Sequence, residues 1–490
     1  MRLFEIIILL ICTVLPFIKR PVLRKLESRY VLIGLGLILV IHFFAEGWRW
    51  QMIPGYLLLI ILLWRVKVVD AMHPPKLSFL RILGFFGIII LALLGWVLPS
   101  VLPIFSLPEP TGEYAVGTES RYVLTDRDEI ITEDPDDKRE LMYKIWYPST
   151  ANVSGKERDA YIDRTSRAGF ATKYGLPPTA LNYLDRVKTH VYPDIPVADG
   201  TFPVLIFSHG YGSKATGYYS ILTELASQGY IIINMNHTFE SLGTTFPDGR
   251  QAYFDFGFQH EISKDAWSQI EPILEVYKSG ISYEERHPIV KEFVTTFYES
   301  KSMDRWAEDM IETMDLLENW NKEGTLAGRL DLEQLGLFGH SNGGGSAGKV
   351  PLVDERVKAV ANLDGISWGN VIDTTYQIPF LFVSADWPAE KEDFNTHIYI
   401  NKSTDYFYES RLLQSGHPNF MDIPFMIPVP AIAGTGSIEP ALGSEITNKL
   451  VTSFFDKHLK GVSTADPQLV GEQYAELELT VFKGDSVKHL

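Results

Sequence analysis

The strongest chemical signal is a serine flanked by glycines, in Leu337-Phe-Gly-His-Ser-Asn-Gly-Gly-Gly345. Gly339-x-Ser341-x-Gly343 is the nucleophile-elbow pattern, in which the chain turns sharply from a strand into a helix. A side chain two residues before or after the serine would collide in such a turn. The turn also places the hydroxyl at a helix N-terminus, where developing negative charge is stabilised. The spacing therefore predicts Ser341 as a catalytic nucleophile.

A serine hydroxyl needs a base that is oriented by an acid. After an elbow of this type the acid comes next along the chain and the histidine follows it. Four histidines lie beyond Ser341, namely His397, His417, His458 and His489. His417 lies in Gln414-Ser-Gly-His-Pro-Asn-Phe420, a loop directly after a strand-like run, from which a side chain can reach over the sheet edge. We therefore predict His417 as the base.

Two acids compete for the third position. Asp364 ends one strand-like run, in Ala361-Asn-Leu-Asp-Gly365, and Asp386 ends the next, in Val383-Ser-Ala-Asp-Trp387. Either carboxylate could orient an imidazole, and the residues alone leave both open.

An oxyanion hole requires two backbone N–H donors. One is expected from Asn342, directly after the nucleophile. The other is expected from Tyr211 in Ser208-His-Gly-Tyr-Gly212, because flanking glycines allow the amide to turn inward. His209 and His340 belong to backbone turns and are predicted to be structural.

Strand-like runs alternate with helical ones through the second part of the chain. This alternation predicts a mostly parallel sheet with helices on both faces. Strands are expected at Leu141–Tyr147, Pro203–Ser208, Tyr230–Asn234, Gln334–Phe338, Val357–Leu363, Pro379–Ser384 and Tyr406–Leu413, and helices at Tyr218–Gln228, Arg305–Trp320 and about Glu445–Leu459.

The first part of the chain is different, with apolar runs at about Leu3–Ile18, Tyr30–Ala45, Met52–Val69 and Ile82–Phe105. Crossing a bilayer takes roughly 20 apolar residues in a helix, a length that the fourth run meets and the second and third approach. The first is short and interrupted, and a signal peptide is its alternative interpretation. We predict a transmembrane region of three to four helices over 1–105, whose polar residues Glu5, His42 and Glu46 are isolated near the ends of runs.

The charge distribution supports this division. Residues 1–105 carry eleven basic and four acidic side chains, whereas 33 basic and 57 acidic ones remain for 106–490. Cations concentrate in the loop after the first run (Lys19, Arg20, Arg24, Lys25, Arg29) and at the end of the third run and in the loop beyond it (Arg65, Lys67, Lys76, Arg81). The positive-inside rule places those loops in the cytoplasm and residues 106–490 outside it. A multi-pass cell-membrane protein with an extracytoplasmic catalytic domain is expected.

The composition excludes other classes of protein. A net charge of −17 argues against nucleic acid as the partner, because such proteins neutralise phosphates with Lys and Arg. The single cysteine, Cys12, excludes an intrachain disulfide and a cysteine-based zinc site. No metal and no cofactor is expected.

A Pro-rich linker over 106–111 leads into a domain over 112–490. Within this domain, residues about 240–304 form an insertion far longer than ordinary connections of about 2–6 residues. The insertion is rich in aromatic residues. We interpret it as a cap that lines an acyl pocket, with a packed surface insertion as the alternative.

Residues from about Gly112 to Leu459 resemble the α/β-hydrolase family of plasma-type platelet-activating factor acetylhydrolase and its bacterial relatives. The matching stretches are Gly112-Glu-Tyr-Ala-Val-Gly117, Phe202-Pro-Val-Leu-Ile-Phe-Ser-His-Gly210, Gly339-His-Ser-Asn-Gly-Gly344, Asn362-Leu-Asp-Gly365 and Gly416-His-Pro-Asn-Phe420. Asn342 in place of an aromatic residue, the extra Gly345 and the apolar N-terminal part depart from the family pattern.

The resemblance implies an α/β-hydrolase fold with Ser341 as nucleophile, His417 as base and Tyr211 as oxyanion donor. It favours Asp364 over Asp386, because the family takes its acid from the strand directly after the elbow. The expected function is a membrane-tethered serine ester hydrolase that acts through an acyl-enzyme on short-chain or lipid-derived esters. An oligopeptidase-like amide hydrolase and a non-catalytic sensor or scaffold domain are the alternatives.

Overall fold

The computed structural model describes residues 1–14, 28–68, 79–387, 394–399 and 406–483. Within it the chain forms two compact units, Met1–Phe105 with Phe425–Val429, and Ser106–Pro424 with Pro430–Leu490. Part of the charge pattern that predicts orientation (Lys19, Arg20, Arg24, Lys25, Lys76) lies outside the described residues, as does His489.

In the part that the structure describes, the N-terminal unit contains four apolar helices: α1 (Leu3–Val14), α2 (Ser28–Ala45), α3 (Ile53–Val68) and α4 (Phe79–Val101). Among the described residues, one stretch, Ile82–Val101, is long and apolar enough to cross a membrane by length and composition. The other apolar helices are shorter. Of the three to four spans expected from the sequence, the structure therefore supports the fourth run as a candidate.

Polar side chains of the N-terminal unit form one cluster. Arg49 donates to both carboxylate oxygens of Glu5, over 2.7 and 2.9 Å, and both side chains are buried. Arg2 also binds Glu5 and donates to the carbonyl oxygen of Glu46, whose carboxylate lies 3.0 Å from Nδ1 of His42. The expectation of isolated polar residues is wrong, because helix packing joins groups that lie 44 positions apart in the chain.

The second unit is built on a ten-stranded sheet with the order β12-β11-β10-β9-β8-β4-β5-β2-β1-β3. Strands β4, β5 and β8 to β11 pair in parallel, whereas β1 with β2, β2 with β5 and β11 with β12 pair antiparallel. The strands are β1 (Ala115–Asp128), β2 (Lys138–Ser149), β3 (Val191–Pro193), β4 (Phe202–Ser208), β5 (Ile231–His237), β8 (Leu330–His340), β9 (Val357–Leu363), β10 (Phe380–Ser384), β11 (Tyr406–Leu412) and β12 (Leu477–Lys483).

Every strand expected from the sequence is present. The sequence does not predict the long strand β1, because its exposed half alternates polar and apolar residues without a continuous apolar run.

Helices cover both faces of the sheet. The described helices after residue 105 are α5 (Arg164–Lys173), α6 (Tyr219–Ser227), α7 (Phe256–Ser263), α8 (Ala266–Lys278), α9 (Tyr283–Thr296), α10 (Tyr298–Trp320), α11 (Asn342–Lys349), α12 (Phe394–Ile398), α13 (Ile423–Met426), α14 (Pro430–Ala433), α15 (Pro440–His458) and α16 (Pro467–Gln473). On β4, Ile206 joins the buried cluster that includes Met310 of α10, whereas the adjacent Phe207 contacts Tyr218 on the opposite face. This alternation buries both faces, as expected for a mostly parallel sheet.

The inserted segment 240–304 contains a short hairpin, β6 (Gly243–Thr245) with β7 (Gln251–Tyr253), followed by α7, α8 and α9. Ser282 starts α9 with a capping box in which its hydroxyl and the Glu285 carboxylate bind each other's backbone N–H. Helix α10 begins at Tyr298, seven residues before the expected Arg305, because the helix continues directly from the end of the insertion.

A buried ionic network joins the sheet to α10. The guanidinium of Arg139, on β2, lies 2.8 Å from Asp309 and 2.9 Å from Glu129, and both carboxylates are buried. Burial alone would raise the pKa of Asp309, but Arg139 and His237 outweigh it and hold that pKa well below its usual value. The network therefore keeps charged groups inside the protein by pairing each with an opposite charge.

Replacing Arg139 with Met should destabilise the second unit by about 3–5 kcal/mol, because Asp309 and Glu129 would be left buried and without this partner. Urea unfolding followed by fluorescence measures this. Arg250→Met is the control, since the Arg250 side chain is 56% exposed where it pairs with Glu140, and should cost at most about 1 kcal/mol. Equal effects of the two substitutions would contradict the expectation.

Candidate active site

Ser341 lies between β8 and α11 in a strained backbone conformation, with φ 55° and ψ −127°. Its amide donates to the Leu363 carbonyl on β9 over 2.9 Å, which fixes the turn to the neighbouring strand. A Cβ added at Gly339 would overlap the backbone of Gly343, and one added at Gly343 would overlap the carbonyl oxygen of Ser208. The two glycines of the motif are thus the residues that this turn requires.

His417 and Asp364 are in direct contact. Nδ1 of His417 lies 2.6 Å from Oδ2 of Asp364, and the other oxygen of this carboxylate accepts from the Ala385 amide at 2.8 Å and from the Trp387 indole N–H at 3.0 Å. Asp364 is buried, whereas the His417 side chain is about one third exposed. Three hydrogen-bond partners therefore fix the Asp364 carboxylate, and the His417 imidazole remains accessible to solvent.

Asp386 makes different contacts. Its carboxylate accepts from the Gln414 amide over 2.7 Å and from the guanidinium of Arg411. These bonds hold the start of the loop that carries His417. Of the two candidate acids, Asp364 is the one that the fold brings to the imidazole.

Two other histidines beyond Ser341, His397 and His458, have partners away from the elbow. His397 lies 2.9 Å from Nδ1 of His287 on the insertion, and His458 lies 3.0 Å from the Tyr408 hydroxyl.

Two backbone amides are available next to Ser341. Neither the Tyr211 nor the Asn342 N–H has an acceptor among the residues that the structure describes. Gly210 approaches the elbow so closely that a Cβ on it would lie 3.2 Å from Cβ of Ser341. The loop after β4 and the start of α11 therefore meet at the serine, as an oxyanion hole requires.

His340, in the elbow, connects the loop after β4 to the loop that carries His417. The Gly210 amide donates to the Tyr218 hydroxyl over 3.0 Å, and that hydroxyl lies 3.0 Å from Nδ1 of His340. Nε2 of His340 lies 3.1 Å from the carbonyl oxygen of His417. Burial lowers the pKa of His340 well below its usual value, so the ring is neutral and serves as one acceptor and one donor. Its role is structural, as the sequence predicts.

The aromatic residues of the insertion lie in different environments. Phe254 contacts the ring of Tyr211 edge-on, with centroids 5.5 Å apart. Phe293 and Phe297 pack on Trp368 in the core. Others are exposed on the surface of the insertion: Tyr253, Phe256 and Trp267. The insertion is thus partly core and partly a surface next to the loop that carries Tyr211.

The structure also contains a buried Ser–His–Asp arrangement that sequence reasoning missed. The Ser208 hydroxyl lies 2.8 Å from Nε2 of His237, whose Nδ1 lies 2.7 Å from Asp309. All three side chains are fully buried, so Ser208 offers no accessible nucleophile. No local motif marks these residues, since Asp309 lies on α10 more than 70 positions from His237.

The mostly parallel sheet, the helices on both faces and the elbow after β8 define an α/β-hydrolase fold. A ferulic acid esterase from Streptomyces cinnamoneus has a similar structure, with a TM-score of 0.57 over 77% of this chain and 100% of that one, at 22% sequence identity.

The chain belongs to the platelet-activating factor acetylhydrolase, isoform II, family, whose model matches residues 101–468.

Proteins with similar sequences are named as acetylhydrolases or esterases. Platelet-activating factor acetylhydrolase from Cavia porcellus is 25% identical over 53% of this chain and 58% of its own length. The same enzyme from Canis lupus familiaris is 22% identical over 72% of this chain and 77% of its own. A probable 1-alkyl-2-acetylglycerophosphocholine esterase from Arthroderma benhamiae is 24% identical over 74% of this chain and 87% of its own length. The match thus spans less than two thirds of the Cavia porcellus relative.

If Asp364 orients the base, Asp364→Asn should lower kcat by several orders of magnitude, because an amide at this position favours the wrong tautomer of His417. Asp386→Asn should lower kcat much less, since it loosens the loop without touching the imidazole. Steady-state hydrolysis of an aryl acetate measures both. A large loss confined to Asp386→Asn would reverse the assignment.

Proposed function

We propose that this protein is a serine carboxylic ester hydrolase that acts through an acyl-enzyme on short-chain or lipid-derived esters. Two observations carry the proposal: the hydrogen-bonded Asp364–His417 pair, and Ser341 in the strained conformation of a nucleophile elbow. The names of its relatives support the reaction class, since they include acetylhydrolases and an esterase.

In the proposed mechanism, His417 accepts the proton of the Ser341 hydroxyl as its oxygen attacks the ester carbonyl carbon. Asp364 holds the imidazole in the tautomer whose Nε2 is free and stabilises the imidazolium that forms. The Tyr211 and Asn342 amides bind the developing oxyanion. His417 then protonates the leaving alcohol, and a water molecule that it activates releases the acid from Ser341.

The substrate proposal depends on the surroundings of Tyr211 and on charge. Phe254 places an apolar ring beside the Tyr211 side chain, as suits an acyl chain. Residues 106–490 have 57 acidic and 33 basic side chains, so an anionic lipid surface would repel this part of the chain. Esters that partition partly into water fit this charge better than long-chain membrane lipids.

Ser341→Ala should abolish both labelling by a fluorophosphonate and hydrolysis of an aryl acetate, because both reactions need the Ser341 oxygen. Gel fluorescence and a spectrophotometric assay measure the two. Ser410→Ala is the matched control, since its buried hydroxyl donates to the Phe382 carbonyl within the sheet over 2.9 Å.

Folded wild-type protein that neither labels nor turns over any ester would exclude the enzyme proposal. A series of aryl esters from acetate to decanoate, alongside short-acyl phospholipids, then defines the acyl preference. Turnover of aminoacyl anilides without turnover of esters would instead favour the amide hydrolase alternative.

We further propose that the N-terminal unit tethers the enzyme to a cell membrane, with several spans and with the catalytic unit outside the cytoplasm. Helix α4 supports tethering, because its apolar side chains are exposed rather than packed, Phe85 and Phe86 among them. The loop cations support the orientation.

Substituting Asp at both Ile90 and Leu93 should increase the fraction of protein released from membranes washed at alkaline pH, because each charge costs about 2.5–3.5 kcal/mol at the centre of a spanning helix. Immunoblots of pellet and supernatant measure release, with Leu469→Asp, an exposed position of the second unit, as control. In right-side-out vesicles an impermeant fluorophosphonate should label wild-type Ser341. Labelling only after permeabilisation would reverse the proposed orientation.

A further inference from the structure

The loop that carries the proposed oxyanion donor Tyr211 is held by a buried histidine. His209 is fully buried, and its Nδ1 lies 2.8 Å from the carbonyl oxygen of Gly210. The same carbonyl accepts the Ser213 amide over 3.0 Å. Two donors therefore hold this one oxygen on the side of the loop that faces His209.

This contact determines where the next amide points. In a planar trans peptide the C=O of one residue and the N–H of the next point in opposite directions. Because the Gly210 carbonyl is bound on the His209 side, the Tyr211 N–H is directed to the other side of the loop. Gly210 lies against Ser341, and the Tyr211 N–H has no acceptor among the described residues.

The tautomer of His209 is set by its second nitrogen. The backbone N–H of His237 donates to Nε2 of His209 over 3.2 Å, so the proton of the neutral ring must be on Nδ1. Burial lowers the pKa of His209 to about 3, which keeps the ring neutral. His237 itself is held by Asp309, by Ser208 and by stacking on Trp306 with centroids 3.8 Å apart.

We propose that His209 is a positioning residue for the oxyanion hole: its Nδ1–H holds the Gly210–Tyr211 peptide so that the Tyr211 amide faces the oxyanion. Without this donor the peptide can rotate and present the Gly210 carbonyl to the site instead. The inference rests on the proposed esterase mechanism. It assigns a function to a residue that does not touch the substrate.

The test compares three substitutions of His209 in the full-length protein. Leu removes the donor. Gln carries its amide nitrogen at the position of Nε2. Asn carries its amide nitrogen at the position of Nδ1 and can still donate to the Gly210 carbonyl. We expect His209→Leu and His209→Gln to lower kcat roughly 10–100-fold with little change in KM, since complete loss of an oxyanion donor costs about 10²–10³-fold. His209→Asn should recover most of the loss.

A pair of inhibitors separates positioning from general destabilisation. An alkyl trifluoromethyl ketone adds to Ser341 and forms an oxyanion, whereas the matching methyl ketone binds without forming one. The inhibition constant of the trifluoromethyl ketone should rise by the same factor as kcat falls, while that of the methyl ketone stays constant. His458→Leu is the control for loss of a half-buried histidine that bonds the Tyr408 hydroxyl away from the elbow, and it should lower thermal stability without changing this ratio.

Equal losses in the Leu, Gln and Asn variants, or parallel weakening of both ketones, would overturn the inference. If His209→Leu does not fold, the comparison of Gln with Asn gives the same answer, because both are polar and differ in where the donor lies. Failure of the proposed function gives another result, since wild-type protein would then neither hydrolyse the ester nor bind the trifluoromethyl ketone.

Discussion

The candidate site depends on a close backbone contact between the serine elbow and the end of β4. Gly343, at the start of α11, lies against the carbonyl oxygens of Ser208 and His209, and any side chain there would force the two segments apart. The contact brings the first turn of a helix next to the loop after β4. It thereby places both free amides beside Ser341. Strain in the serine backbone is the cost of this approach, and the surrounding sheet holds it.

Two series of hydrogen bonds between aromatic side chains and the backbone support this contact. On one side, Tyr218 and His340 connect the Gly210 amide to the His417 carbonyl. On the other side, His209 and His237 connect the Gly210 carbonyl to the buried carboxylate of Asp309. Since burial lowers the pKa of His209, His237 and His340, each imidazole has one donor and one acceptor. Neutral histidines can therefore fix peptide orientation without adding charge to the site.

Motif and order along the chain predict most residues of the candidate site. Ser341, Asn342 and Tyr211 lie in short segments whose glycines require particular backbone conformations, so local sequence carries the signal. The same holds for His417, in a loop directly after a strand. The choice between Asp364 and Asp386 is different, because both follow neighbouring parallel strands and local sequence does not show which carboxylate the imidazole of His417 contacts. The resemblance to a family favoured Asp364, and the geometry agrees.

The class of fold, the elbow and the separation of an apolar basic part from an acidic one can be predicted from sequence, because they are properties of periodicity, local turns and composition. Which buried groups contact each other depends on the tertiary structure. His209 lies beside His237, which contacts Asp309, and Glu5 lies beside Arg49 in the N-terminal unit. Such pairs are far apart in the chain, and desolvation makes each buried polar group need a partner without specifying which one. Packing of the helices and strands makes that choice.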